Sequence, residues 1–115
     1  MYDKRIHELL LTLGIGHQYL GHNITAQAVD LAMHDENCLL CVKKGILMPI
    51  AAARHCDWRT VERNIRTVIH RAWTLHRDSL SAIAFCHLNH EPSVSEFLDI
   101  LVSHMMRYPS ARVAR

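Results

Sequence analysis

The sequence has few turn-forming residues and no long apolar run. Its 115 residues include four glycines and three prolines, and no glycine follows Gly45. An all-β fold needs many turns, so this scarcity argues against one. The apolar run from Leu9 to Gly16 is too short to span a membrane, and no signal-peptide cleavage site follows it. We therefore expect a cytoplasmic protein with no membrane partner, in which the four cysteines stay reduced.

No repeat, low-complexity tract or linker divides the chain, and half of its residues are apolar. Apolar residues recur at helical spacing throughout, so we predict an all-α, compact six-helix domain. The predicted helices cover residues 2–13, 24–35, 49–54, 57–76 and 79–86, with a last helix from 93 onward. A short helical turn is expected at 37–42, ended by Lys43-Lys44-Gly45. We assign residues 1–107 to the domain and 108–115 to a frayed C-terminal tail.

Several helix ends carry recognisable signals. Gly14 and Gly16 follow the first helix, where a C-terminal glycine is common. Asn23 is placed to cap the second helix. Ser93 and Glu96 form a capping-box pattern that opens the last helix.

The segment 57–76 is predicted to form one amphipathic helix. Asp57 stands at its expected N-cap. Its apolar stripe comprises Val61, Ile65, Val68, Ile69, Ala72 and Leu75, and we expect Trp73 to be buried beside it. The opposite face carries Arg59, Arg63, Arg66 and His70. A short alanine-rich helix ends about three residues earlier, and this arrangement is typical of a DNA-binding helix-turn-helix.

Positive charge is concentrated in the same segment. Residues 54–77 hold six arginines and two acidic residues, a local charge of +4 within a chain total of +2. The segments before and after it each carry −1. A basic helix on a faintly acidic body suits a polyanionic partner, and arginine can bond guanine or phosphate with two N–H groups.

Several specific sequence motifs match those of a known family of DNA-binding domains. They include LGIG at 13–16, AVDLAMHD at 28–35, VERNIR at 61–66, Ala72-Trp73 and PSVSEF at 92–97. In these motifs the chain resembles, from about Leu9 to Met105, the C-terminal effector domain of the stage zero sporulation protein A family of response regulators. The resemblance implies a six-helix domain that binds double-stranded DNA at short promoter boxes. It also implies contact with an RNA polymerase sigma factor and pairing of two copies on tandem boxes through the last helix.

Matched by position, the family's recognition helix falls on Trp58 to His76. Two of its arginines match Arg63 and Arg66, and its acidic base-reading residue matches Glu62. The candidate DNA-binding residues are Arg59, Thr60, Glu62, Arg63, Arg66, Thr67, His70 and Arg71. We expect the first four nearest the bases, and Arg66, His70 and Arg71 nearer the phosphates.

The chain departs from the family pattern in two respects. Thr60 stands where the family has a further arginine, and Arg59 lies one position, or about 100°, away around the helix. This departure bears on which box is preferred and leaves the expectation of DNA binding unchanged. The family also carries an upstream phosphorylatable receiver domain that this sequence does not contain, which leaves two alternatives: an excised effector domain or a stand-alone homologue. A protein-interaction or decoy module that keeps the fold without reading DNA is the alternative function.

Other residue patterns contain side chains that are used in metal binding or catalysis. Cys38 and Cys41 form a CxxC, and His87 and His90 an HxxH, but the cysteines lie in an apolar run without the glycine usual at zinc knuckles. We expect these cysteines to be buried and unliganded. His55-Cys56-Asp57 offers a Cys/His pair, yet it fits the turn of the helix-turn-helix equally well. The sequence therefore predicts no metal site, no cofactor and no enzymatic activity.

Overall fold

A computed structural model describes residues 4–107, most of which lie in six α-helices. These are α1 (Lys4–Thr12), α2 (Leu20–His34), α3 (Met48–Arg54), α4 (Trp58–Leu75), α5 (Arg77–Ala84) and α6 (Val94–Arg107). A 3₁₀ segment (Glu36–Leu40) and a π-helical turn (Lys43–Leu47) lie between α2 and α3. Within this range there is no β-strand, and the predicted all-α, six-helix class is confirmed. The predicted tail, 108–115, lies outside the described residues.

Helix α4 lies at the centre of the domain and packs against α2, α3, α5 and α6. The predicted apolar stripe is its buried face, formed by Val61, Ile65, Val68, Ile69 and Ala72. Trp73 is only half-buried, because its ring packs against the core while the Arg77 guanidinium stacks 3.8 Å from its centroid. Leu75 is 57% exposed, since it is the last residue of α4 and the chain turns there into α5.

Helix α2 begins earlier than its sequence predicts. It starts at Leu20, and Asn23 is an exposed residue inside the helix rather than its cap. The reason is tertiary contact at Gly21, where a Cβ atom would come within 2.8 Å of the Asn64 carbonyl oxygen and 2.5 Å of Val68 Cγ2. Close packing of this first turn against α4 outweighs the capping preference of asparagine.

The predicted glycine stop of α1 is confirmed at Gly14, which has a φ of +80°. The Gly14 N–H donates to the Leu11 carbonyl at 3.0 Å, and the Ile15 N–H donates to the Leu10 carbonyl at 3.0 Å. These two bonds form a Schellman motif, which satisfies carbonyls that the helix end leaves open. The chain reverses here, so the loop after α1 returns α2 alongside it.

The predicted break at Lys43-Lys44-Gly45 is wrong. These are the first three residues of the π-helical turn Lys43–Leu47, which runs directly into α3. Gly45 permits this continuation because a Cβ there would lie 2.8 Å from the Cα and the carbonyl oxygen of Cys38. A glycine that the sequence suggests as a breaker is thus required for close packing inside a helical segment.

The start of α6 confirms the predicted capping box. The Ser93 N–H donates to Glu96 Oε1 at 2.8 Å, and the Glu96 N–H donates to Ser93 Oγ at 3.1 Å. The Ser93 N–H holds the pKa of Glu96 below its usual value. This stabilisation is therefore present above the unfolded-state pKa of Glu96 and is lost as the pH falls through its lower folded-state pKa.

Removing the cap should lower stability without changing the fold. We expect Ser93→Ala to reduce the free energy of unfolding by about 1 kcal/mol, because an α6 N–H loses its acceptor. Urea denaturation measures this change. Ser95→Ala is the matched control, since Ser95 is exposed inside the same helix and its replacement by a better helix former should not lower stability. Equal effects of the two substitutions would contradict the assigned cap.

Gly21→Ala tests the contact between α2 and α4. We expect a loss of roughly 1–3 kcal/mol in the free energy of unfolding, because the added Cβ meets a backbone carbonyl that moves only with its helix. Gly16→Ala is the control, since the nearest atoms there belong to the exposed Gln18 side chain, which can rotate away. If Gly21→Ala were as stable as wild type, the helices would not approach as described.

Candidate nucleic-acid interface

Helices α3 and α4 are joined by a tight turn with three connecting residues. His55 adopts a left-handed conformation with φ of 57°, and the Cys56 N–H donates to the Ala51 carbonyl at 3.0 Å. Asp57 caps α4 by accepting from the Arg59 N–H at 2.8 Å. His55 and Cys56 are exposed and form the turn itself, which accounts for the Cys/His pair noted in the sequence. The predicted helix-turn-helix is thereby present in the fold.

The outward face of α4 carries most of the predicted DNA-binding side chains. Those that are exposed are Arg59, Arg63, Arg66, Thr67 and His70. At 100° per residue they fall within about 100° of arc, roughly opposite the buried stripe. The same geometry spreads them along roughly 16 Å of helix. The structure thus brings these five side chains onto one accessible basic surface.

The other three predicted residues lie at the edges of that surface and are half-buried. Thr60 and Arg71 lie on the side facing α2, and Glu62 lies on the opposite edge. Arg71 Nε donates to the Gly14 carbonyl at 3.0 Å, and its guanidinium lies 4.8 Å from the Tyr19 ring centroid. Arg71 therefore also fixes the loop between α1 and α2.

Some of the positive charge on α4 is paired within the protein. Arg59 lies 3.4 Å from an Asp57 carboxylate oxygen, and Arg66 lies 3.4 Å from Glu62. Both pairs are solvent-exposed and contribute little to stability, so a phosphate can displace them at small cost. Within residues 4–107, the Arg63 guanidinium has no side-chain hydrogen bond or ion pair, and it is the most readily available arginine on this face.

Two residues that the sequence analysis did not select also lie at this surface. The Glu91 carboxylate accepts from His70 Nδ1 at 3.0 Å, and residues 91–94 form a groove with α4. The Lys43 ammonium lies 4.4 Å from the Trp58 ring centroid, so it adds a positive charge beside the start of α4. Both residues are distant in sequence from the helix, and no local pattern indicates either contact.

The prediction that Cys38 and Cys41 are buried is only partly correct. All four are free thiols, but Cys41, Cys56 and Cys86 are exposed, and only Cys38 packs against the core. The prediction that Cys41 is buried is wrong because the 3₁₀ segment ends at Leu40 and turns the next side chain toward solvent.

Across residues 4–107, each helix is too short or too polar to cross a membrane. No curated protein sequence matches the chain significantly. Residues 6–105 match the family model described as "Sporulation initiation factor Spo0A C terminal". This family consists of DNA-binding regulatory domains and is not a family of enzymes. Because the match covers most of the chain, the protein belongs to the family of sporulation response-regulator effector domains that bind DNA.

Proposed function

We propose that this domain is a sequence-specific transcription regulator that reads short promoter boxes by placing α4 in the major groove of double-stranded DNA. The observation that carries the proposal is the exposed row of Arg59, Arg63, Arg66 and His70 on a capped helix whose opposite face forms the core. An α-helix fits the major groove, and arginine is the side chain that most often reads guanine there. Such a function places the protein in the cytoplasm, with the DNA.

The N-terminal turns of α4 are proposed to contact the bases. Arg59, Thr60, Glu62 and Arg63 lie in the first two turns, and the N-terminal part of a recognition helix normally meets the base edges. Arg63 is the strongest candidate because its guanidinium is exposed and unpaired among residues 4–107. Glu62 is suited to accept from a cytosine amino group once Arg66 turns toward DNA.

The later turns are proposed to contact phosphates. Arg66, Thr67 and His70 continue the exposed row. Arg71 uses Nε for the Gly14 carbonyl, so only its terminal nitrogens are available for a phosphate. Its replacement would disturb the loop as well as DNA binding, and Arg66 is therefore the better residue for testing a phosphate contact.

Two protein partners are also proposed. The C-terminal end of α6 supports pairing of two copies on tandem boxes, because Met106 is 51% exposed there and Phe85 nearby is 53% exposed. The Arg107 guanidinium lies 4.5 Å from the Phe85 ring centroid, so these residues form one small apolar and basic surface. Contact with an RNA polymerase sigma factor rests on the family resemblance alone.

Substitution of Arg63 and Arg66 tests whether the N-terminal turns of α4 contact bases and its later turns contact phosphates. We expect Arg63→Ala to weaken binding to a preferred family box by roughly 1–3 kcal/mol and to reduce the preference at one base position. We expect Arg66→Ala to weaken the box and a scrambled duplex alike, and to make the salt dependence shallower by about one unit of slope. Affinities for both duplexes at several salt concentrations measure these changes.

Arg107→Ala is the matched control, since it removes the same charge from α6 and should leave single-box affinity nearly unchanged. If Arg63→Ala weakened both duplexes equally while Arg66→Ala abolished discrimination, the assignment along the helix would be reversed. If wild type did not prefer the box to the scrambled duplex, the interaction or decoy module would be the correct function.

A further inference from the structure

Three histidines from separate segments of the chain meet beside the loop that joins α1 to α2. His7 lies on α1, His17 lies in the loop, and His22 lies in the first turns of α2. One ring nitrogen from each lies within 4.8 Å of the corresponding nitrogens of the other two. His22 is fully buried, His7 is half-buried and His17 is exposed, so the cluster is anchored in the core and open to solvent.

The hydrogen bonds of His22 leave one of its nitrogens without a proton. Its Nδ1 lies 3.0 Å from the Ile15 carbonyl oxygen. A carbonyl only accepts, so Nδ1 carries the hydrogen and Nε2 presents its lone pair to the cluster. A backbone carbonyl bound to the second nitrogen is the usual partner of a metal-ligating histidine, because it fixes the tautomer and the ring orientation.

The spacing of the ring nitrogens is close to that of a metal site. His7 Nδ1 donates a hydrogen bond to His22 Nε2 at 2.8 Å, and a bound ion would take the place of that shared hydrogen. Two nitrogens bound to one tetrahedral zinc at about 2.0–2.1 Å are separated by roughly 3.3–3.4 Å. An opening of about half an ångström would therefore admit an ion between these rings. The exposed His17 ring, whose centroid lies 4.2 Å from that of His22, can rotate to supply the third ligand.

The environment of His22 favours its neutral imidazole, which is the form that binds metals. Burial, together with the neighbouring rings of His17 and His7, lowers the pKa of His22. Three imidazoles suit zinc, cobalt, nickel or copper, whereas calcium and magnesium prefer oxygen ligands. The solvent-exposed side of the cluster leaves a fourth position for water, as in zinc sites with three protein ligands.

We propose that His7, His17 and His22 form a binding site for one divalent transition-metal ion, with zinc as the best-fitting ion. The sequence predicts no metal site, because its recognisable ligand patterns are the CxxC at Cys38 and Cys41 and the later HxxH. The three histidines have no recognisable ligand spacing, and the chain reversal at Gly14 is what brings them together.

A bound ion would join α1, the loop and α2 at one point. The same loop accepts Arg71 through the Gly14 carbonyl and carries Tyr19 beneath its guanidinium. The proposed site would therefore stabilise the contact between this loop and α4. The proposal concerns metal binding only, and it stands whether or not α4 reads DNA.

The test is titration of the untagged full chain, reduced and freed of metal with a chelator, with zinc alone. Calorimetry should give one zinc per chain. Zinc should also raise the thermal unfolding midpoint, because only the folded state assembles the three ligands. Cobalt in place of zinc should give the visible absorption of a tetrahedral site, whereas magnesium should not bind.

His17→Ala is the decisive variant, since His17 is exposed in a loop and its loss leaves the core intact. We expect its zinc affinity to fall roughly tenfold or more, with an unchanged helical circular dichroism spectrum. His7→Gln is the second variant and should weaken binding similarly. His87→Ala, which removes another exposed histidine, and the double change of Cys38 and Cys41 to serine should both bind as wild type.

Absence of saturable zinc binding by wild type would overturn the proposal. So would equal zinc affinity of His17→Ala and His87→Ala, which would mean that surface histidines bind zinc indiscriminately. Loss of binding in the double cysteine variant would assign the ion to the CxxC instead.

Discussion

The close approach of α2 to α4 at Gly21 is the contact on which the rest of the domain depends. At this point a single Cβ would meet both the Asn64 carbonyl and Val68, so the two helix backbones are nearly in contact. Because α4 is held here, its apolar face is directed into the core and its arginines toward solvent. The direction of the basic face therefore follows from packing on the opposite side of the helix, and the side chains proposed to contact DNA contribute little to it.

Acidic side chains of the protein itself form weak ion pairs and hydrogen bonds with the basic surface of α4. Asp57 and Glu62 each lie 3.4 Å from an arginine, and Glu91 accepts from His70. Exposed pairs of this kind are worth little to stability, yet they reduce repulsion among like charges while no ligand is bound. A polyanion offers stronger, charge-assisted hydrogen bonds, so these contacts can be exchanged at the surface without disturbing the core.

The loop between α1 and α2 contributes to two features of the fold. Its Schellman motif at Gly14 reverses the chain and brings the first turns of α2 beside α1. The same reversal gathers His7, His17 and His22 and presents the Gly14 carbonyl to Arg71. A local backbone conformation at one glycine thus positions both the histidine cluster and a carbonyl that binds Arg71 of α4.

The sequence by itself determined the features that depend on local order: six helices, the Asp57 and Ser93 caps, the Gly14 stop and the two faces of α4. Periodicity and capping act over a few residues, so they can be read from the chain. Only the tertiary structure decided the contacts between distant segments. They determine that α2 begins at Leu20 and that a helical turn continues through Gly45. They also place Glu91 beside His70 and bring the three histidines together. Each depends on how closely segments distant in sequence approach one another, through the backbone at Gly21 and Gly45 and through side chains at Glu91 and the histidines, and helical spacing alone does not encode that distance.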